Sequence, residues 1–146
     1  MATTTATITL SSADLLSDNL SLSATQTLHK AGTTTGLDGI QYERMEVATG
    51  DIYDIVGASQ TNGIALGADK AHKLYVANKH TDETKYVDVY VATVNIGRLY
   101  AGDWMFIPLE VAAATQDVSV DAVSTNQVIE WCFIHEGKTL GQSEVS

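Results

Sequence analysis

His72 and His80, followed closely by Asp82, Glu83 and Asp88, form the densest gathering of metal-ligating side chains in the chain. Imidazole and carboxylate are ordinary zinc ligands. The two histidines, however, bracket a strand-like run and do not share a face at i and i+2. They read as solvated loop histidines, and His29 and His135, each standing alone, read the same way. Asp117, Ser119 and Asp121 are a second group, since paired carboxylates can hydrolyse a glycosidic bond. Here they alternate with Val118 and Val120, which is the pattern of a solvent face behind a core face. Cys132 is the third candidate. A catalytic thiol needs a neighbouring base, and His135, three positions on, would leave the opposite side of a strand. Cys132 therefore reads as a small buried apolar residue. As the only cysteine, it excludes an intrachain disulfide and any cysteine-rich metal site. No nucleophile elbow, phosphate-binding loop, HExxH helix, dinucleotide fingerprint or EF-hand loop is present. The sequence is thus read as non-enzymatic, with no catalytic residue, metal or cofactor expected.

The elements that would carry these side chains are strands. Tyr86-Val87-Asp88-Val89-Tyr90-Val91 and Asp117-Val118-Ser119-Val120-Asp121 alternate at every step, the period of a half-buried strand. Leu20–Leu28 alternates as cleanly, and Ile129, Trp131 and Phe133 share one face of a run from Gln127 to Ile134. Ile40–Val47 is a strand with Ile40 and Tyr42 on one face and Met45 and Val47 on the other, so a bulge or change of face is expected. Ile52–Val56 and Leu74–Ala77 are shorter strands. Asn62-Gly63 supplies the strongest turn signal. Ile96–Asp103 reads as a glycine-containing corner that feeds Trp104–Leu109. That run is apolar on both faces, so it reads as buried, with Trp104 and Phe106 packed on Trp131 and Phe133. Its Pro108, the only proline, belongs near a strand end or a sheet edge. Val111–Ala114 reads as a bridge of small residues. About nine short strands predict an all-β fold, an antiparallel β-sandwich or jelly-roll-like body with an extended N-terminal arm. The expected organisation is an arm over residues 1–19, one sandwich domain over 20–136 and a tail over 137–146.

With 146 residues, 8 Lys+Arg and 18 Asp+Glu, the chain carries a formal charge of −10. Such a chain is repelled by the phosphates of nucleic acid and by anionic membranes, and is attracted to basic protein surfaces. The Thr-rich start lacks the basic and apolar regions of a signal peptide, and no apolar run is long enough to span a membrane. Synthesis and folding in a host cytoplasm are expected, with neither nucleic acid nor membrane as partner.

From Lys73 to Phe133 the chain resembles small structural proteins of tailed-bacteriophage virions. The resemblance lies in Leu74-Tyr75-Val76-Ala77-Asn78, Tyr86-Val87-Asp88-Val89, Gly97-Arg98-Leu99, Ala101-Gly102-Asp103-Trp104, Phe106-Ile107-Pro108 and Ile129-Glu130-Trp131. It covers a little under half the chain, and its motifs are structural. It implies a capsid decoration, or cement, protein on the outside of the virion, bound to the major capsid protein and stabilising the shell. Neck, tail and spike roles belong to the same class. A homo-oligomer, dimer or trimer, is the expected form. The interaction surface is expected at Ile8 and Leu10 of the arm and at Tyr75, Tyr86, Tyr90, Arg98 and Tyr100, with strand packing as the alternative reading of Arg98. Outward tyrosines fit a carbohydrate- or receptor-binding module as the competing reading, and a carboxylate hydrolase is a third.

Overall fold

A computed structural model describes residues 3–14, 17–56, 70–109 and 117–136. The expected Asn62-Gly63 turn, the bridge at Val111–Ala114 and the tail over 137–146 lie outside the described residues.

Ten antiparallel strands are present among the described residues: β1 (Thr5–Ser12), β2 (Leu20–Thr27), β3 (Gly39–Val47), β4 (Ile52–Val56), β5 (His72–Asn78), β6 (Tyr86–Val91), β7 (Val94–Tyr100), β8 (Trp104–Leu109), β9 (Val118–Val123) and β10 (Gln127–His135). Two four-stranded sheets, ordered β3-β10-β5-β8 and β4-β9-β6-β7, pack face to face as a β-sandwich. Among the described residues no helix is long and apolar enough to cross a membrane.

The core comes from alternate positions of both sheets. Leu74, Val76, Ile129, Trp131 and Phe133 of the first meet Ile55, Val87, Val89, Leu99, Val118 and Val120 of the second. The inward assignments of Val87, Val89, Val118, Val120, Ile129, Trp131 and Phe133 are therefore those the alternation predicts. The assignment of Trp104 and Phe106 is corrected. Met105, Ile107 and Leu109 are the residues of β8 that turn inward, and Trp104 lies outside at 52% exposure. β8 is a sheet edge, which suits Pro108. β3 also differs from expectation. Its pairing with β10 runs without interruption from Val47↔Gln127 to Gly39↔His135, so there is no bulge, and Ile40 and Tyr42 both face outward. The stretch expected as a corner is strand β7, and the bend falls at Ala101-Gly102, where Gly102 has φ +91°.

β2, expected within the body, pairs instead with β1 along its full length, from Thr5↔Thr27 to Ser12↔Leu20. This two-stranded sheet joins neither of the others. At its base the Leu28 amide donates to the Thr4 carbonyl, extending the hairpin by a rung, and the Leu37 amide, on the way to β3, donates to the Leu28 carbonyl. Leu28 and Leu37 are buried there, and Lys30 pairs with Asp38 at 2.8 Å.

Candidate interaction surfaces

Strand pairing sorts the outward side chains into rows, since residues directly opposite in register share a face. On the β4-β9-β6-β7 sheet one row is Ile52, Asp121, Asp88 and Arg98, and the next contains Tyr86 and Tyr100. This outer face is polar, as expected of an antiparallel sheet packed on one side only. Asp88 and Asp121 are directly opposed carboxylates, an unfavourable pairing on its own. Arg98 relieves it: its Nε donates to Asp88 Oδ1 at 2.9 Å, and its guanidinium lies 3.8 Å from the Tyr86 ring centre. Hydrogen bonding to Asp88 first, and to the Tyr100 hydroxyl second, pushes the Arg98 pKa above its ordinary value. Tyr86 and Tyr100 stand 5.3 Å apart, tilted at 58°. On the same face Ser119 is buried, its hydroxyl donating to Asp54 at 2.7 Å. The solvent-face reading of Asp117, Ser119 and Asp121 thus gives way at Ser119. Tyr86, Tyr90, Arg98 and Tyr100, separate in sequence, form one surface.

The β3-β10-β5-β8 outer face is different in kind. Tyr42, Cys132, Tyr75 and Phe106 form a row across all four strands, flanked by Ile40, Ile134, Lys73 and Pro108 on one side and by Arg44, Glu130, Ala77 and Trp104 on the other. Tyr42 is 61% and Ile40 52% exposed. The Tyr42 hydroxyl donates to Glu130 at 2.6 Å, and this bond raises its pKa. Tyr75 and Trp104 approach with ring centres 6.3 Å apart. This outer face therefore carries an apolar row bordered by charged side chains.

The hairpin β1–β2 is two-sided. Ala6, Ile8 and Leu10 lie opposite Gln26, Ala24 and Leu22, while the other side holds only Thr and Ser from Thr5 to Ser11 and from Ser21 to Thr27. Leu10 and Leu22 are 53% and 55% exposed. Near its base, Ala6, Thr7 and Ile8 line a cleft of about 260 Å³ against Tyr75, Trp104 and Phe106. The structure therefore brings Ile8 and Tyr75 together, with Leu10 further along the same hairpin. It places them on a different surface from Tyr86, Tyr90, Arg98 and Tyr100. Sequence reasoning missed Trp104, Phe106, Ile40 and Tyr42 as surface residues. In Trp104–Leu109 both faces are apolar, so the pattern gives no outward side.

The chemistry-bearing candidates resolve differently from expectation. His72 is fully buried, not a solvated loop residue, with its ring 5.3 Å from that of Phe133. Its Nδ1 accepts the Glu136 amide at 3.2 Å. His135 is also fully buried. Glu136, buried beside them, accepts the Ala71 amide at 2.8 Å. These contacts fasten the end of β10 to the start of β5. His80 lies at the other end of β5, and Asp82 is occupied by a turn, accepting the Thr84 hydroxyl and amide. That bonding, led by the hydroxyl, lowers the Asp82 pKa. Among the described residues no group of three or more His, Cys, Asp or Glu is placed to hold a metal ion.

Cys132 is only half-buried, outward between Tyr42 and Tyr75. Burial first, and the charge of Glu130 second, push its thiol pKa up. Because the thiolate is the nucleophile, iodoacetamide should modify Cys132 more slowly in the folded chain than in urea at neutral pH. Equal rates would place the thiol in open solvent. A raised folded pKa also means that the native state holds the proton longer, so this group's contribution to stability declines as pH rises through the thiol range.

No protein-family model matches the chain, and no curated protein matches it.

Proposed function

We propose that the chain is a non-enzymatic structural protein of a tailed-bacteriophage virion, a capsid decoration protein that binds the outside of the major capsid shell and stabilises it. The observation that carries this reading is the hairpin β1–β2, which joins neither sheet and leaves Leu10 and Leu22 exposed toward its tip. An isolated two-stranded hairpin is marginally stable in water, so such an element is suited to being covered by a partner. The sandwich supports the same reading. Its sheets, β3-β10-β5-β8 and β4-β9-β6-β7, follow the strand order of an eight-stranded jelly roll, an architecture of viral capsid and lectin domains. That support is fold-level analogy. The acidic, tyrosine-bearing face around Asp88 and Asp121 suits a basic protein surface. Attachment through many linked copies converts a modest contact per site into firm binding.

Electron microscopy of virions labelled with an antibody to this protein tests the reading. Label over the shell is the expected result. Label confined to neck, tail or spike moves the chain within the class, and unlabelled particles overturn the class. Deleting residues 1–27, which removes the whole hairpin without breaking a ladder of either four-stranded sheet, should lower particle occupancy at least about tenfold through lost avidity. Unchanged occupancy would show that the hairpin takes no part.

The cleft at Tyr75, Trp104 and Phe106 favours a second reading, a carbohydrate- or receptor-binding module, because exposed rings can stack on a sugar. Glycan-array binding lost in Trp104→Ala would select it over the first.

A further inference from the structure

We propose that the hairpin of one molecule lays its uncovered apolar side on the uncovered part of the β3-β10-β5-β8 outer face of a second copy, and that two copies do so reciprocally. The proposal deepens the structural-protein reading, on which it rests for its setting, by naming the surface through which copies associate.

Two observations select a second copy as occupant. The first is continuity. The base of the hairpin already borders this face within one molecule, with Ala6 and Ile8 against Tyr75, Trp104 and Phe106. What is left open on each side is of the same kind: Leu10 and Leu22 on the hairpin, Ile40 and Tyr42 on the sheet, all above half exposed. The second is charge. Two molecules of formal charge −10 repel, yet Thr5–Ser12 and Leu20–Thr27 contain no charged residue, and neither does the row Tyr42, Cys132, Tyr75, Phe106. At the borders, Asp14 and Asp18 flank the hairpin tip, and Lys73, Arg44 and Glu130 flank the aromatic row. Reciprocal docking makes the contact twice and closes the assembly about a two-fold axis.

The test is solution mass by sedimentation velocity on the full chain, without particles. Wild type should sediment as a dimer of the 15.6 kDa chain. Leu22→Asp, on the hairpin, and Tyr42→Lys, on the face with Glu130 beside it, should each sediment as monomers with unchanged circular dichroism. Mixing the two variants should restore the dimer, because each supplies the surface the other lacks and the altered pair meets as Asp against Lys. A monomeric wild type, variants that remain dimeric, or a mixture that stays monomeric would each overturn the proposal. One variant remaining dimeric would point to hairpin-on-hairpin or face-on-face contact. Virion labelling is read separately, so a dimer absent from virions would remove the capsid reading and leave the interface standing.

Discussion

Phe133→Ala should lower the free energy of unfolding by about 3–5 kcal/mol, while Trp104→Ala should lower it by no more than about 1.5 kcal/mol. The two residues lie on neighbouring parts of one sheet and differ in which side of the pleat they occupy. Phe133 has no exposed surface and sits between the rings of His72, at 5.3 Å, and His135, at 5.4 Å. Its neighbours are held by ladders on both sides of β10, so the cavity cannot collapse and the full cavity cost remains. Trp104 is half exposed and loses mainly its contact with Tyr75. Against a typical stability of about 5–15 kcal/mol the first change is severe. Urea titration measures both, with the midpoint displaced at constant slope if the native state is otherwise unchanged. The reverse ranking would return Trp104 to the core.

That contrast shows what alternation can and cannot convey. Where one face of a strand is polar, as in Val87-Asp88-Val89 and Val118-Ser119-Val120, the sequence fixes neither partner nor layer but does identify the inward side chains, and the structure agrees. Where both faces are apolar the period vanishes. Trp104–Leu109 looks buried because Phe106 and Ile107 are equally hydrophobic, and only the sheet order reveals that one of them faces out. The β6–β7 hairpin was illegible for another reason. Its turn is made by Ala92, at φ +55°, followed by Thr93, with no Asn or Gly to signal it. β2 was readable as a strand, but a Ser/Thr-against-apolar pattern does not say which strand it joins. Among the interaction candidates the residue types were informative and their grouping was not. Arg98 comes beside Tyr86 and Tyr100 because β7 turns back on β6, whereas Tyr75 goes with Ile8 through the path of the N-terminal hairpin.

A polar pair that no sequence pattern distinguishes should produce the second large effect: Gln127→Leu should destabilise the fold by about 2–4 kcal/mol. Asn78 ends β5 and Gln127 begins β10, positions where polar residues are common and usually solvated. Here both side chains are fully buried. The Asn78 amide donates to Gln127 Oε1 at 2.9 Å and to the Leu99 carbonyl at 3.0 Å, and its oxygen accepts the His80 amide. Gln127 Nε2 donates to the carbonyls of Tyr86, at 2.6 Å, and Val123, at 3.2 Å. Asn78 and Gln127 belong to one sheet, whereas Tyr86, Leu99 and Val123 belong to the other. The pair therefore bridges the sandwich by hydrogen bonds at the end where the apolar core stops. Leucine preserves bulk but removes both the acceptor and the donors, and each buried group left unsatisfied costs about 1–3 kcal/mol. The cost of Asn78→Leu combined with Gln127→Leu should fall short of the sum of the single changes by about 0.5–3 kcal/mol, the range for coupled neighbours. Strict additivity in urea titrations, or a Gln127→Leu midpoint equal to wild type, would mean that the two amides reach water and that the sheets are held by apolar packing alone.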